Sequence, residues 1–316
     1  MHPNILRRPS KDDVSAIFTA LKRCGEVGRV VLPKNITFQI RTPLDLSLCK
    51  ACDFQINGLL DISIDWHYWS TQPSVFTISG VQAAVIRSDG NTGIVEANSF
   101  GWPVKGTPGT VFEVKDSSGV FFYTMETEGG VWYQFQNSSH MYVWDNMVRP
   151  DDACVLLLPG AVNVQVDDVT CITSRDTNLG PSGIGFQLIM GKGVEWVKNV
   201  WVKKLEATRR MNVIAFWTGQ EGLESQNITI SNATFNDVET SGLAKHAVYL
   251  EQCRPDQCSQ RRAVLNVTGV VFRDFKGITD RASKFDCVSE EDICDFSVDN
   301  WGVTEGEDSV APRGPL

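Results

Sequence analysis

Hydrophobic residues recur along most of the chain with a period of two, which is typical of β-strands, and only one segment has a helical period. That segment is residues 10–23, in which Ser10 and Asp13 resemble a capping box. Its apolar residues fall at i, i+3, i+4 and i+7: Val14, Ile17, Phe18 and Leu21. After Gly25, short alternating apolar runs separated by Gly, Asn, Asp and Ser predict strands joined by tight turns.

These strands also repeat. Five segments can be superimposed at separations of 31, 33, 37 and 31 residues, on Asp168, Asn199, Asn232, Gly269 and Asn300. A repeat of this length built only from short strands predicts a β-solenoid, with Asn and Asp at bends that need a left-handed conformation. We therefore predict an all-β, single-domain parallel β-helix over 1–316, with a capping helix at 10–23, coils at 25–303 and a tail at 304–316.

Composition excludes several kinds of partner. The net charge of −9 and pI near 5.0 argue against nucleic acid and anionic membranes. No apolar run approaches the roughly 20 residues of a membrane helix. We expect a monomer whose partner is a small molecule or a saccharide.

The nine cysteines are not spaced like a zinc site, so neither a metal nor a cofactor is predicted. Cys154/Cys171, Cys253/Cys258 and Cys287/Cys294 have the spacing of short disulfide loops, which leaves the pairing of Cys24, Cys49 and Cys52 open. Five glycosylation sequons begin at Asn35, Asn137, Asn227, Asn232 and Asn266. The cysteines and the sequons together predict a glycoprotein of the secretory pathway. A cytoplasmic location is the alternative, because residues 1–13 lack the apolar segment of a signal peptide.

The order of motifs resembles glycoside hydrolase family 28, the polygalacturonase-like enzymes, particularly the fungal ones. DDVSAIFTALKRCGEVGRVVLPKNITFQI (12–40) resembles the capping helix and first coil of that family, and NTGIVEANSFGW (91–102) a conserved turn. DDACVLLLPGAVNVQVDDVTC (151–171) resembles its D-D-C-V coil, and QCRPDQC and CVSEEDIC its closing cysteine loops. The resemblance implies a right-handed parallel β-helix of the pectin-lyase type.

The catalytic motifs of the family are mostly replaced. The resemblance implies an inverting glycosidase, which needs two carboxyl groups roughly 6.5–9.5 Å apart. Asp151 and Asp152 match the D-D motif, with an extra Ala153 before the cysteine, whereas the coil that carries N-T-D is either missing or reduced to TEGG (127–130), with Glu128 as its only acid. Ser182 stands at the position of the histidine, and Val213 and Ala215 at those of the substrate-binding Arg and Lys. We expect a degenerate active site with an apolar groove.

The candidate residues follow from these matches. As catalytic candidates we take Asp151, Asp152, Ser182 and His246. As ligand-binding candidates we take Glu128, Gln187, Arg209, Arg210, Val213, Ala215 and Trp217. Three functions stay open. The first is a non-hydrolytic cyclisation or isomerisation of a small, largely apolar natural product, the second is pectin binding without turnover, and the third is a weak or altered galacturonide hydrolase using Asp151/Asp152.

Overall fold

The protein is a stack of parallel β coils. The structure, a computed structural model, describes residues 11–97, 110–150, 152–172, 182–188, 193–208, 211–217, 225–251, 264–281, 283–286 and 293–306. All described strand pairs are parallel, and each strand pairs with the equivalent strand of the preceding and following coils. The predicted right-handed parallel β-helix is confirmed.

The strands form two sheets. Sheet A has a main row of β1 (Arg29–Leu32), β4 (Asp53–Ile56), β7 (Val85–Arg87), β10 (Ser118–Tyr123), β13 (Ser139–Arg149), β15 (Val162–Ile172), β17 (Gly193–Thr208), β19 (Ser225–Ala244), β21 (Val264–Thr279) and β23 (Ile293–Glu305). Its side branch is β2 (Thr37–Ile40), β5 (Leu59–Ile62), β8 (Ile94–Glu96) and β11 (Glu126–Glu128). Sheet B is β3 (Leu44–Asp45), β6 (Ser74–Ser79), β9 (Thr110–Lys115), β12 (Val131–Gln136), β14 (Ala153–Leu157), β16 (Ser182–Gln187), β18 (Asn212–Trp217), β20 (His246–Glu251) and β22 (Lys284–Asp286).

Two short helices accompany the coils, α1 (Val14–Cys24) and α2 (Trp66–Trp69). The predicted helical face is confirmed, since Ile17 and Leu21 are buried and Val14 and Phe18 pack against the core. The predicted capping box is wrong: Asp13 is the N-cap residue but makes no side-chain capping bond. Its carboxylate instead accepts a hydrogen bond from the Gln39 backbone N–H at 2.9 Å, which fastens the helix to the first coil.

A column of left-handed residues marks one corner of the coils. Asn163, Asn199 and Asn232 all have φ of 55°, as predicted for Asn at the bends. Asn199 Nδ2 donates to Asn163 Oδ1 at 2.9 Å, and Asn232 Nδ2 donates to Asn199 Oδ1 at 3.1 Å. We call these three residues the asparagine ladder.

The ladder corrects the predicted superposition. The residue in register with Asn199 is Asn163, not Asp168. Asp168 lies in a second column of left-handed residues, together with Lys204. Asn300 likewise aligns with Asp274, not with Gly269. Both columns carry similar residue types, and a sequence repeat cannot distinguish two corners of the same coil.

Stacked aromatic and aliphatic side chains fill the interior. Phe186 and Phe216, on neighbouring strands of sheet B, stack with ring centroids 4.6 Å apart, and Phe235 and Phe272 of sheet A stack at 5.3 Å. All four are fully buried. Each such burial stabilises the fold by roughly 1.5–3 kcal/mol.

The structure confirms the predicted Cys154/Cys171 disulfide and resolves the pairing that the sequence left open. Cys154 pairs with Cys171, and Cys49 pairs with Cys52, which leaves Cys24 as an exposed free thiol. Cys294 is disulfide-bonded, whereas Cys253, Cys258 and Cys287 lie outside the described residues. In the part of the chain that is described, no helix has the length and hydropathy to cross a membrane.

Candidate functional site

The outer face of sheet B carries two rows of side chains that run along the solenoid axis. Strand register aligns Ala153, Ser182, Asn212 and His246 at the starts of consecutive strands. Val131, Thr110 and Ser74 continue this first row on the preceding strands. The second row lies further along the same strands: Thr77, Glu113, Gln134, Leu156, Gly185, Ala215, Tyr249 and Lys284. We call this surface the sheet-B face.

The centre of the sheet-B face is apolar. Val131, Ala153, Leu156 and Leu158 form a hydrophobic cluster separate from the main core, and each is at most 6% exposed. Val155 and Leu157, which flank Leu156, belong to the main core and point to the opposite face, as alternation along the strand requires. The four side chains form an apolar patch at the centre of the face, and each of them exposes little surface.

A polar network borders this patch on the side of the N-terminal coils. Glu113 is 5% exposed and accepts hydrogen bonds from Gln134 Nε2 and Ser74 Oγ, both at 3.3 Å. Lys115 Nζ lies 2.6 Å from Glu113 Oε1, and this ion pair balances the carboxylate charge. Sequence reasoning missed Glu113. Its one signal was a charged residue between Phe112 and Val114 in an otherwise apolar strand.

Ser182, Asn212 and His246 border the patch on the other side. Ser182 and Asn212 are fully buried, and His246 is 6% exposed. The Ser182 Oγ has no hydrogen-bond partner among the described residues. The His246 ring centroid lies 5.0 Å from that of Tyr249. The structure thus brings two predicted candidates, Ser182 and His246, into one row and adds Asn212 between them.

The aspartate pair lies at the edge of the first row. Asp152 is exposed, and its carbonyl accepts the Ser182 backbone N–H at 2.6 Å. The extra residue Ala153, not Asp152, takes the position in register with Ser182. Asp151 lies outside the described residues. Ala153 therefore gives the first row a methyl group at the position beside Ser182.

The structure places the two ligand-binding candidates of β18, Val213 and Ala215, in different surroundings. Val213 is fully buried in the main core, so it does not line the sheet-B face, and the register places Asn212 beside Ser182. The neighbouring Ile214 and Phe216 belong to the core as well. Ala215 does lie on the outer face, in register with Gly185 and Tyr249, but it is fully buried.

Glu128 is also displaced from its predicted setting. It lies on β11 in the side branch of sheet A, in register with Glu96 and Arg149, and not on sheet B. Asp61, Glu96 and Glu128 stack on neighbouring strands. Burial, together with the charges of Asp61 and Glu128, raises the pKa of the Glu96 carboxyl.

Two of the remaining candidates, Gln187 and Trp217, lie at strand ends. Gln187 is half-buried at the end of β16 and is in register with Trp217, of which the structure describes the backbone. Arg209 and Arg210 lie outside the described residues.

The chemistry of the first row follows from its side chains. It offers a hydroxyl, an amide and an imidazole at its C-terminal end, and its seven members include no carboxyl group. Among the described residues, no group of three or more His, Cys, Asp or Glu side chains could hold a metal ion. The row can donate and accept hydrogen bonds to a ligand with many hydroxyl groups.

Known proteins resemble this chain over nearly its whole length. Endo-xylogalacturonan hydrolase A of Aspergillus tubingensis is 25% identical over an alignment of 351 positions, gaps included, which covers 96% of this chain and 83% of the relative. A probable endo-xylogalacturonan hydrolase A of Aspergillus niger is 26% identical, with the same coverage.

Solved structures share the fold. The crystal structure of the Aspergillus tubingensis endo-xylogalacturonan hydrolase superimposes with a TM-score of 0.74 at 22% identity, over 96% of this chain and 92% of that one. A polygalacturonase from Erwinia carotovora ssp. carotovora superimposes with a TM-score of 0.58 at 12% identity, over 95% of this chain and 92% of that one.

A family model matches the C-terminal part of the chain. The model of "Glycosyl hydrolases family 28" matches residues 126–313, which is more than half of the chain. The matched segment includes β12, β14, β16, β18 and β20, the strands that carry most of the sheet-B face. The chain is therefore a polygalacturonase-like β-helix protein and belongs to glycosyl hydrolases family 28.

Proposed function

We propose that the sheet-B face binds a pectic polysaccharide of the xylogalacturonan class and that the protein does not cleave it by the hydrolysis of its family. The observation that carries this proposal is the composition of the first row. Val131 and Ala153 occupy its centre, and Ser182, Asn212 and His246 its polar end. Inverting hydrolysis needs two carboxyl groups, an acid and a base, on opposite sides of the glycosidic bond and roughly 6.5–9.5 Å apart, and the seven described residues of the first row include no carboxyl group.

The ligand class is supported by the relatives and by the chemistry of the face. The relatives named above are endo-xylogalacturonan hydrolases. Xylosyl substituents are neutral and present apolar ring faces, which suit the cluster around Leu156, while their hydroxyl groups suit Asn212 and His246. We propose a secretory location on the strength of the disulfides Cys49–Cys52 and Cys154–Cys171.

Affinity electrophoresis in gels containing xylogalacturonan, paired with a reducing-sugar assay, tests this function. We expect the wild-type protein to be retarded without releasing reducing ends. His246→Gln should weaken the retardation about tenfold, the equivalent of roughly 1.4 kcal/mol for a lost hydrogen bond to the ligand. Val298→Ala, on an exposed residue of β23, is the matched control and should leave retardation unchanged.

Carboxylate variants decide whether hydrolysis is retained. Reducing-sugar release by the wild-type protein that is abolished in Asp152→Asn or Glu113→Gln would overturn the non-hydrolytic assignment. That result would favour an altered galacturonide hydrolase, with Asp152 or Glu113 as its acid or base.

A non-hydrolytic reaction on a small apolar natural product, such as a cyclisation or isomerisation, is the second candidate. The separate cluster of Val131, Ala153, Leu156 and Leu158 favours it, because an apolar patch binds hydrocarbon better than it binds a polyanion. Limonene is a suitable probe. A rise in Tm with limonene, with no retardation by xylogalacturonan, would replace the first proposal with this one.

A further inference from the structure

Exposed aromatic side chains cluster on the outer face of sheet A. Phe121 is 36% exposed, Trp144 53% and Trp201 46%. Single exposed aromatic residues are ordinary on protein surfaces, but a contiguous group of them indicates a binding surface.

Strand register sorts these side chains into two rows. Phe121, Tyr142, Gln165 and Trp201 are aligned on β10, β13, β15 and β17. Arg87, Tyr123, Trp144, Asp167 and Lys203 form the second row two residues along. We call the two rows the aromatic face of sheet A. Both rows extend along the solenoid axis, so an extended polymer chain can follow them.

The aromatic face encloses a depression of about 400 Å³ with two kinds of wall. Phe121 and Tyr142 stack face to face with ring centroids 4.4 Å apart and planes within 3°, and Tyr123 and Trp144 lie 6.2 Å apart. Gln165 and Asp167, one coil further, line the same depression. Aromatic rings on one side and an amide with a carboxylate on the other are complementary to a pyranose ring, which has apolar C–H faces and equatorial hydroxyl groups.

The charges indicate which sugar fits. Asp167 lines the depression, and the cationic Arg87 is engaged with the Asp53 carboxylate through bonds of 2.8 and 2.9 Å. Lys203, in register with Asp167, is not among the residues that line the depression. The Asp167 carboxylate therefore disfavours a uronate carboxylate at this site. A neutral pyranose avoids this repulsion, and its hydroxyl groups can donate hydrogen bonds to Asp167 and Gln165.

We propose that the aromatic face of sheet A binds a neutral, extended glycan chain at a second site, separate from the sheet-B face. The inference does not rest on the proposed function, because no residue of the sheet-B face contributes to it. A second glycan site would hold the protein on a composite polysaccharide material while the sheet-B face engages a different chain.

Affinity electrophoresis with soluble xylan and hydroxyethylcellulose, and with polygalacturonate as the anionic arm, tests this site. We expect retardation by at least one neutral polymer, weakened about tenfold in Trp144→Ala and in Tyr142→Ala. Met147→Ala, an exposed residue on the same strand outside both rows, is the matched control. His246→Gln should leave this retardation unchanged, which separates the second site from the sheet-B face.

Three results would overturn the proposal. The first is the absence of retardation by both neutral polymers. The second is retardation that persists in a Tyr142→Ala/Trp144→Ala double variant whose circular dichroism matches the wild type. The third is retardation by polygalacturonate that depends on Trp144, which would contradict selectivity for neutral chains.

Discussion

Single residues at the sheet-B face show how strand register selects the members of a site. Ala153 occupies the position in register with Ser182, and Asp152, which precedes it, is exposed at the edge of the row. The sequence already displayed the extra alanine, but only strand register shows which residue takes the row position. For the same reason Asn212 was missed and Val213 was placed in the groove, since one residue of offset exchanges the inner and outer faces of a strand.

Glu96 gives a prediction about pH. Burial and the neighbouring carboxylates Asp61 and Glu128 raise its pKa, so the folded state holds this proton at a higher pH than the unfolded chain does. Stability is therefore lost as the pH rises through the folded-state pKa. We expect Glu96→Gln to stabilise the protein at pH 7 by about 0.2–1 kcal/mol, the range of a cross-strand charge pair.

Urea unfolding at pH 7 and at pH 3.5 measures this effect. The gain should disappear at the lower pH, where the carboxyl is protonated in both states. Glu239→Gln, on an exposed carboxylate paired with Lys276, is the control and should show no such gain at pH 7. An equal gain from Glu96→Gln at both pH values would contradict the electrostatic cause.

At the scale of elements, the corners of the coils were the most predictable part of the fold. Asn and Asp between alternating strands indicated left-handed bends, and φ values of 55° at Asn163, Asn199 and Asn232 confirm them. Helix α1 was predictable from its apolar period, whereas its cap was not, because a tertiary bond from Gln39 recruits the Asp13 side chain. The tertiary bond to Gln39 competes with the helix-capping bond for the Asp13 carboxylate, and the local sequence does not predict which bond forms.

The asparagine ladder gives a prediction about stability. Asn199→Ala removes two side-chain hydrogen bonds and leaves a non-glycine residue at φ 55°. We expect a loss of about 2–3 kcal/mol in the free energy of unfolding, as each bond contributes about 1 kcal/mol and the left-handed backbone costs about 1 more.

Asn199→Gly is the matched variant, because glycine adopts this conformation without strain. It should lose the hydrogen bonds alone and so fall between the wild type and Asn199→Ala in urea unfolding. Equal losses in the two variants would mean that backbone conformation contributes nothing at this corner.

On the scale of the whole molecule, the solenoid was predictable and its active surface was not. Repetition of short strands is a property of the sequence, so the parallel β-helix followed from it together with the family resemblance. The sheet-B face depends on which of two corners each Asn or Asp occupies and on the register of the strands between them. Glu113 shows this, since its partners Ser74 and Gln134 are 39 and 21 residues away in sequence.

The stacked aromatic side chains of the interior predict how far the effect of a core substitution extends along the solenoid. Phe186→Ala leaves a cavity beside Phe216 and Phe235, with an expected loss of about 3–5 kcal/mol. Because each coil contacts its neighbours, hydrogen exchange should accelerate most in β14, β16 and β18. Hydrogen-exchange mass spectrometry measures this, with Val298→Ala as the exposed control. Uniform acceleration in all strands would show instead that the solenoid unfolds as one cooperative unit.

Each described strand pairs only with the equivalent strands of the adjacent coils, and this pairing has an evolutionary consequence. When every coil presents nearly the same edges, a whole rung can be deleted or duplicated and the two new neighbours still pair. When catalytic residues are spread over successive coils, one residue in each, they can therefore be lost or gained with a whole coil as well as by point substitution. Lineages built on this scaffold can lose or regain a chemical activity in one genetic event while the polymer-binding surface on either side survives.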